Sequence, residues 1–549
     1  MTFKKLFSGY LPEITNSIIQ YLRKDLRSLY SCILVNRHFC RITIPILWED
    51  PFSVIHQSNE ISKVLITYLL FLNDEDNANL KRLVCETFHQ LLPKPLFNYP
   101  SFIKTLNQFQ VQQHVRIYLE KLIIPFYDVD NTELLVLFNT ICELIFKLVI
   151  SNDVSLNNLY LNICYDLNLR IFNEICKKPK FLSDIKYFTL DFNHGDEIPH
   201  LSKPSFQNFF EYLPTAITSN KHFTIYFSLE ENISKRNLEY LIQSQTQLLS
   251  LTLHSITTKV AYILNALKYC SNTLTSIKFN NCDFTNMSSL NGLNSLAHLE
   301  SLHFKDCEGI TVQVFRPLLD IPTPLKIKTL TIDGKIEEIT FIQLLFQKIG
   351  SFLENLEINT WKDTERNNVY ESIINYCEKI QFLHLLSIDH VDIPQLIKLI
   401  IHVRKHLKYL SLQVKKNRRS CISYRISKIY VNEPLRVSSM ILENLGQILP
   451  DTLKYLELRL EIDPINLKIF LNNCKHIVGL SRLLVMNKTF NDNKVAFNVL
   501  KEFVREKKVT NFAYLVNHNF FIREDGYKIH SSQKLYSDLI MRVSYFENV

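Results

Sequence analysis

Along the second half of the chain a six-residue phrase recurs in which apolar side chains hold positions one, four and six. The clearest copies start at Leu248 (LLSLTL), Leu274 (LTSIKF), Leu299 (LESLHF), Ile327 (IKTLTI), Leu353 (LENLEI), Leu383 (LHLLSI), Leu407 (LKYLSL) and Leu453 (LKYLEL). Their start-to-start spacings are 26, 25, 28, 26, 30, 24 and 46 residues. Weaker copies start at Leu156 and Ile185, and FTIYF at Phe223 reads as a degenerate strand. Between the phrases lie segments such as Val260–Cys270, Phe341–Ile349 and Ile393–Val403, whose apolar residues recur with the period of a helix buried on one face. The pattern predicts a short strand and a helix in each repeat. One such unit cannot cover its own apolar face, but stacked units bury a continuous core beneath a parallel sheet. Strand alternation turns positions one, four and six of each phrase inward and positions three, five and seven outward.

The first fifty residues follow a different pattern. Pro12 and Glu13 suit the first turn of a helix whose apolar face is Ile14, Ile18, Tyr21 and Leu22. Asp25 is placed to cap a second helix carrying Leu26, Leu29, Cys32 and Ile33. A third run, Val35 to Ile42, ends near Pro45 and precedes Leu47 and Trp48. Three short helices make too small a core to be robust alone, so this region is expected to lean on a partner.

The repeat phrases resemble the cysteine-containing subtype of leucine-rich repeats, with Cys282 and Cys307 following two consecutive strands. The segment LPEITNSIIQYLRKDLRSLYSCILVNRHFCRITIPILW resembles the F-box. The resemblance is carried by Leu11-Pro12, the run from Ile18 to Leu22, Leu26, Leu29, Val35-Asn36-Arg37 and the closing Trp48, with Phe39 where that family usually has Trp. The expected organisation is an F-box over residues 1–50, a helical spacer or irregular first repeats over 51–150, and leucine-rich repeats over 151–549. The expected fold class is an α/β repeat: three N-terminal helices, then a solenoid with parallel strands on its concave face and helices on its convex face. By resemblance the chain is the non-catalytic substrate-recognition subunit of a Skp–cullin–F-box ubiquitin ligase. The F-box would bind the Skp-type adaptor, and through it a cullin–RING ligase, while the repeats bind an unidentified protein substrate.

Composition narrows the alternatives. Only nine of the 549 residues are glycine, and no two are closer than sixteen residues, so no GxGxxG, GxxxxGK[ST] or GxSxG motif exists. No motif supports an enzyme, and no cofactor is implied. Net charge is +8 on 62 basic and 54 acidic residues, weaker than a dedicated nucleic-acid binder carries. Among the twelve cysteines the nearest pair, Cys32 and Cys40, is too far apart for a CxxC motif. Without an apolar leader at its start, the chain is expected to be intracellular, cytoplasmic or nuclear, with free thiols. The longest apolar stretch, Leu134 to Ile150, is interrupted by Asn139, Glu143 and Lys147 and is expected not to span a membrane.

The candidate adaptor-binding residues are Leu11, Pro12, Ile18, Leu22, Leu29, Val35 and Trp48. The candidate substrate-binding residues are outward positions of the repeats: Lys278, Asn280, His303, Lys305, Asp333, Glu357, Tyr409, Tyr455 and Arg459. Their charge runs from basic (Lys278, His303, Lys305) to acidic (Asp333, Glu357), which suits a partner of the reverse polarity. The basic cluster Lys415, Lys416, Arg418 and Arg419 reads first as a solvated loop. It also supports a second reading, a repeat scaffold that binds nucleic acid or phosphorylated partners. His402 and His406, four apart on an expected helix, lack a third metal ligand nearby. Glu230-Glu231 and Glu337-Glu338 read as solvated charge.

Overall fold

The computed structural model describes residues 12–522 except 24, 54–57, 84–94, 124–130, 164–167, 193–203, 218, 228–234, 258–260, 361–365, 416–432, 488–492 and 517–519. The chain forms two compact units, one of residues 1–255 with 265–274 and the other of residues 256–264 with 275–549.

The first unit opens with three helices, α1 (Pro12–Tyr21), α2 (Leu26–Ile33) and α3 (Arg37–Leu47). Asp25 caps α2 by accepting the Ser28 N–H at 3.2 Å, and Asn36 caps α3 by accepting the Phe39 N–H at 2.9 Å. Helix α3 runs through Pro45 rather than ending before it, because the proline sits in the last turn. Ile19, Leu29, Phe39 and Ile46 form a separate small core, with Leu22, Cys32, Ile42 and Leu47 against it. Helices α4 (Ser58–Leu69) and α5 (Asp74–Leu83) follow.

The first strand, β1 (Thr105–Asn107), lies in the stretch 51–150, expected to be a helical spacer or irregular first repeats. After it come α6 (Gln108–Ile123), α7 (Asn131–Ser151), β2 (Asn158–Asn162), α8 (Asn168–Cys176), β3 (Tyr187–Asp191), α9 (Pro204–Ala216), β4 (His222–Tyr226), α10 (Lys235–Gln243) and β5 (Ser250–His254). Strands β1 to β5 pair in sequence order, all parallel. Helix α7 is long and apolar enough over Glu133–Ser151 to cross a membrane. Half of that stretch is buried within the protein, and Lys147 pairs with Asp76 at 2.8 Å.

The second unit contains β6 (Ser276–Asn280), β7 (Ser301–Ile310), α11 (Val312–Leu319), β8 (Thr329–Ile336), α12 (Ile339–Ile349), β9 (Asn355–Thr360), α13 (Arg366–Tyr376), β10 (Phe382–Ile388), α14 (Ile393–Val403), β11 (Tyr409–Val414), α15 (Glu433–Ile448), β12 (Tyr455–Leu460), α16 (Pro464–Asn473), β13 (Arg482–Asn487), α17 (Asn493–Lys507), β14 (Asn511–Val516) and β15 (Phe520–Ile522). Strands β6 to β14 pair in sequence order and parallel, and β15 pairs antiparallel with β14. The segment Ala261–Tyr269, expected to be an α-helix, is wound as 3-10 turns.

One hydrogen-bond device sets the step between strands. The carbonyl just before a strand accepts the N–H groups of the last pre-strand residue and first strand residue of the next repeat. Lys186 thus accepts from Lys221 and His222, both at 2.9 Å, and Lys328 from Glu354 and Asn355 at 2.9 and 2.8 Å. Glu49, straight after α3, makes the same pair of bonds to Lys104 and Thr105. The end of the three-helix segment therefore stands where a preceding strand would.

Inward residues stack in register. Leu159, Phe188, Phe223 and Leu251 align in the first unit; Ile277, Leu302, Leu330, Leu356, Leu383, Leu410, Leu456 and Leu483 align in the second. Apart from Leu483 at 2%, each is no more than 1% exposed, and each contributes about 1.5–3 kcal/mol of burial. The register also corrects one phrase. Leu383 aligns with Leu356 and Leu410, so its phrase starts at Ile380 (IQFLHL), and the gaps of 30 and 24 become two of 27. Strands β11 and β12 are direct neighbours, so the 46-residue gap is an insertion in one connection rather than a skipped strand.

Candidate interaction surfaces

The three-helix segment divides its apolar residues between a core and a bare surface. Ile14, Ile18, Tyr21, Leu26, Tyr30, Leu34 and Val35 are 39–92% exposed, a density of large apolar groups that marks an interaction patch. Of the candidate adaptor residues, Ile18 and Val35 lie on this patch. Leu29 is fully buried and Leu22 packs against the same small core, so both shape the patch from beneath. Trp48 faces inward instead. Its ring lies 4.1 Å from Tyr99 and 6.1 Å from Tyr68, tying the segment to the rest of its unit. Pro12 is in the first turn of α1, and Leu11 is outside the described residues. Two residues after Trp48, burial raises the Asp50 carboxyl to about 6 despite a hydrogen bond with Ser53.

Helices take one face of each sheet. In the second unit Phe315 of α11 and Phe341 of α12 pack on inward Phe304. The other face carries the outward positions. In the first unit these are Asn158, Tyr160, Tyr187, Thr189, His222, Thr224, Tyr226, Ser250, Thr252 and His254, which are half-buried or exposed. Two ring stacks run across the strands, Tyr187 on His222 at 4.4 Å and Tyr226 on His254 at 3.8 Å. The Tyr160 hydroxyl donates to Asp191. Burial lowers His254 to about 4. At neutral pH this face presents aromatic rings and hydroxyls around a single carboxylate, the chemistry of an adaptable polar contact surface.

Outward side chains of the second unit are tied to one another. His303 Nδ1 lies 3.0 Å from Thr331 Oγ1, Asn355 donates to Thr329 at 3.1 Å, and Asn359 donates to Asp333 at 2.7 Å. Glu457, only 4% exposed, is the hub. It accepts from Arg459 Nε at 2.6 Å, and from Ser411 and the Tyr455 hydroxyl at 3.0 Å each. Burial alone would raise its pKa; the charges of Arg459 and His384 and the hydrogen bonds from Arg459 and Ser411 outweigh that and hold it below the usual range. His384 lies 3.5 Å from Glu357 and is lowered to about 4, chiefly by burial.

The candidate substrate residues are thus all on one face but unequal. Lys305 is exposed; Lys278, Asn280, Asp333, Glu357, Tyr409 and Arg459 are half-buried; His303 and Tyr455 are buried. His303 adds no positive charge at neutral pH, because burial and then Lys278 hold it near 3. The expected polarity of the face rests on Lys278 and Lys305 alone at its basic end. A phrase starting at Leu383 does not make His384 an outward residue; the register, which starts the phrase three residues earlier, places it there opposite Glu357 and Ser411.

Other candidates have structural roles. Cys282 and Cys307 are 1% exposed, and Cys307 Sγ donates to the Phe279 and Lys305 carbonyls at 3.3 Å. Helix α14 ends at Val403, so His406 falls beyond it and shares no helical face with His402. Asp389, His390 and Glu433 bring one ligand atom each within 4.8 Å of the others. Asp389 and His390 also serve the turn that starts α14, with Asp389 Oδ1 accepting the His390 N–H at 2.7 Å. Lys415 lies 3.7 Å from Asp389, and Lys416, Arg418 and Arg419 are outside the described residues. The chain matches no known family model and no curated protein.

Proposed function

We propose that the chain is a substrate-recognition subunit of a Skp–cullin–F-box ubiquitin ligase, docking through its N-terminal helices and capturing a protein substrate on the outward face of its strand–helix repeats. The observation that carries this reading is the exposed apolar patch of Ile14, Ile18, Tyr21, Leu26, Tyr30, Leu34 and Val35, on a segment whose sequence resembles the F-box. A patch of this kind, joined to a long strand–helix repeat array, fits an adaptor-bound receptor. The outward face adds polar and aromatic side chains at regular intervals, the chemistry of protein recognition.

The test is capture of purified Skp-type adaptor by the full chain and by an Ile18→Glu, Leu34→Glu double variant. Both positions are exposed, so the variant keeps its fold while losing central apolar anchors, and capture is expected to fall at least about a hundredfold. Equal capture by the two proteins overturns the reading.

A further inference from the structure

A buried ion pair that serves neither surface described above stands under the turn between β10 and α14. Arg366, the first residue of α13, pairs with Asp392, and both side chains are buried. Asp392 Oδ2 also accepts the Asp389 N–H at 2.7 Å, so the buried pair fixes the start of the turn. Such a pair adds little net stability by itself, but it holds the side chains of the turn in one orientation. The side chains so held are Asp389 and His390.

A third group meets them from another element. Glu433 opens α15, and its Oε1 lies 2.8 Å from His390 Nδ1, while Asp389 Oδ1 lies 3.0 Å from the same nitrogen. One ring nitrogen carries at most one hydrogen and cannot satisfy both oxygens. Asp389 Oδ1 takes the hydrogen bond, and Glu433 Oε1 is buried with no hydrogen-bond partner among the described residues. A buried carboxylate oxygen in that position calls for a cation. Lys415 serves the other oxygen of Asp389, at 3.7 Å. With its proton on Nε2, His390 offers Nδ1 as a lone pair to the same point. Zn²⁺ holds imidazole nitrogen and carboxylate oxygen at about 2.0–2.2 Å, so ligand atoms at a right angle are about 3 Å apart, as Nδ1 is from each oxygen here. All three ligand atoms lie within 4.8 Å of one another. Mixed imidazole and carboxylate ligands suit Zn²⁺ better than Mg²⁺ or Ca²⁺, which favour oxygen alone.

We propose that Asp389, His390 and Glu433 form a Zn²⁺ site that clips the start of α15 to the turn before α14. The clip joins the two sides of the longest connection in the repeat array, between β11 and β12, where a cross-link removes most chain freedom. The proposal does not rest on the adaptor reading.

The test compares the chelator-stripped full chain with a His390→Ala, Glu433→Gln variant and a His406→Ala control, whose histidine is exposed and outside the cluster. Each is dialysed against low micromolar Zn²⁺ and its bound metal is counted by elemental mass spectrometry. The double variant is expected to hold one ion fewer per chain than the unaltered protein and the control. In parallel, Zn²⁺ should slow amide exchange in the first turn of α15 at least about tenfold in the unaltered chain and not in the variant. If the double variant does not fold, Glu433→Gln alone, at a half-buried position, is read in its place with the same losses expected. Equal zinc content in all proteins, or exchange in α15 that Zn²⁺ leaves unchanged, overturns the proposal and leaves an imidazole shared by two carboxylates.

Discussion

The outward side chains of the first unit are lightly bonded, whereas those of the second are tied to one another and more deeply buried towards its last strands. The backbones beneath are alike: the same parallel register, the same paired hydrogen bonds between repeats, the same inward ladders. The difference lies wholly in every second side chain. The first unit places Thr189, Thr224 and Thr252 in a row, flanked by stacked Tyr–His pairs, and leaves them within reach of solvent. The second replaces them with His384, beside Glu357, with Ser411 and Glu457, which bond each other, and then with buried Leu484 and Ala513. A repeat fold thus fixes where a surface is and leaves its character to the outward positions, which do not set the register or the inward core. The three-helix segment adds a third case, a surface that is apolar and bare.

Substitutions can break this comparison. The largest effect is expected from Leu484→Asp, which buries an unpaired carboxylate and should cost about 3–5 kcal/mol in denaturant unfolding. Its counterpart Thr224→Asp should cost less than about 1 kcal/mol, because that position is half-exposed. Similar losses at the two sites would mean that both faces are covered. Leu29→Ala, in the small N-terminal core, should cost about 2–5 kcal/mol, whereas Ile18→Glu on the bare patch should cost less than about 0.5 kcal/mol. Next comes Glu457→Gln, which leaves Arg459 without its buried counter-charge and should cost about 2–3 kcal/mol, sensed by β12 amide exchange.

Acid sharpens the contrast more gently. His303 and His384 have folded-state values near 3 and 4, below the ordinary 6.5, so the unfolded chain takes up their protons first. Their contribution is complete above about pH 6.5 and is lost as pH falls towards 4, on the order of 2 kcal/mol each. Glu457, held below its usual value, acts in the same direction. Asp50 runs the other way: raised to about 6, it opposes folding when charged, and this cost disappears as pH falls through 6. A pH series of unfolding midpoints should therefore show net acid destabilisation of the second unit, reduced in His384→Gln. An unchanged slope in that variant would deny His384 its part.

Much of the repeat core was legible from the sequence, because positions one, four and six of each phrase are filled by large apolar groups. The signal failed where those positions were polar. Gln108 and Asn220 hold core positions next to β1 and β4, and they are buried with hydrogen bonds that apolar patterning cannot register. In IQFLHL the pattern failed through excess, since the run of apolar residues allowed two frames and only strand pairing chose between them. The outward residues could be named by alternation, but whether they meet water could not. That depends on contacts such as the cross-strand bond between Ser411 and Glu457, which is not written in local spacing.

The central claim is that the bare N-terminal patch, and not the repeat face, is the docking surface for a Skp-type adaptor. The most direct measurement is isothermal titration of purified full-length chain with that adaptor, alongside the Ile18→Glu, Leu34→Glu variant and a Lys278→Glu, Lys305→Glu variant. The account predicts a one-to-one complex that the first variant abolishes and the second leaves intact. Absence of binding by the unaltered chain, or loss of binding only in the second variant, would contradict it.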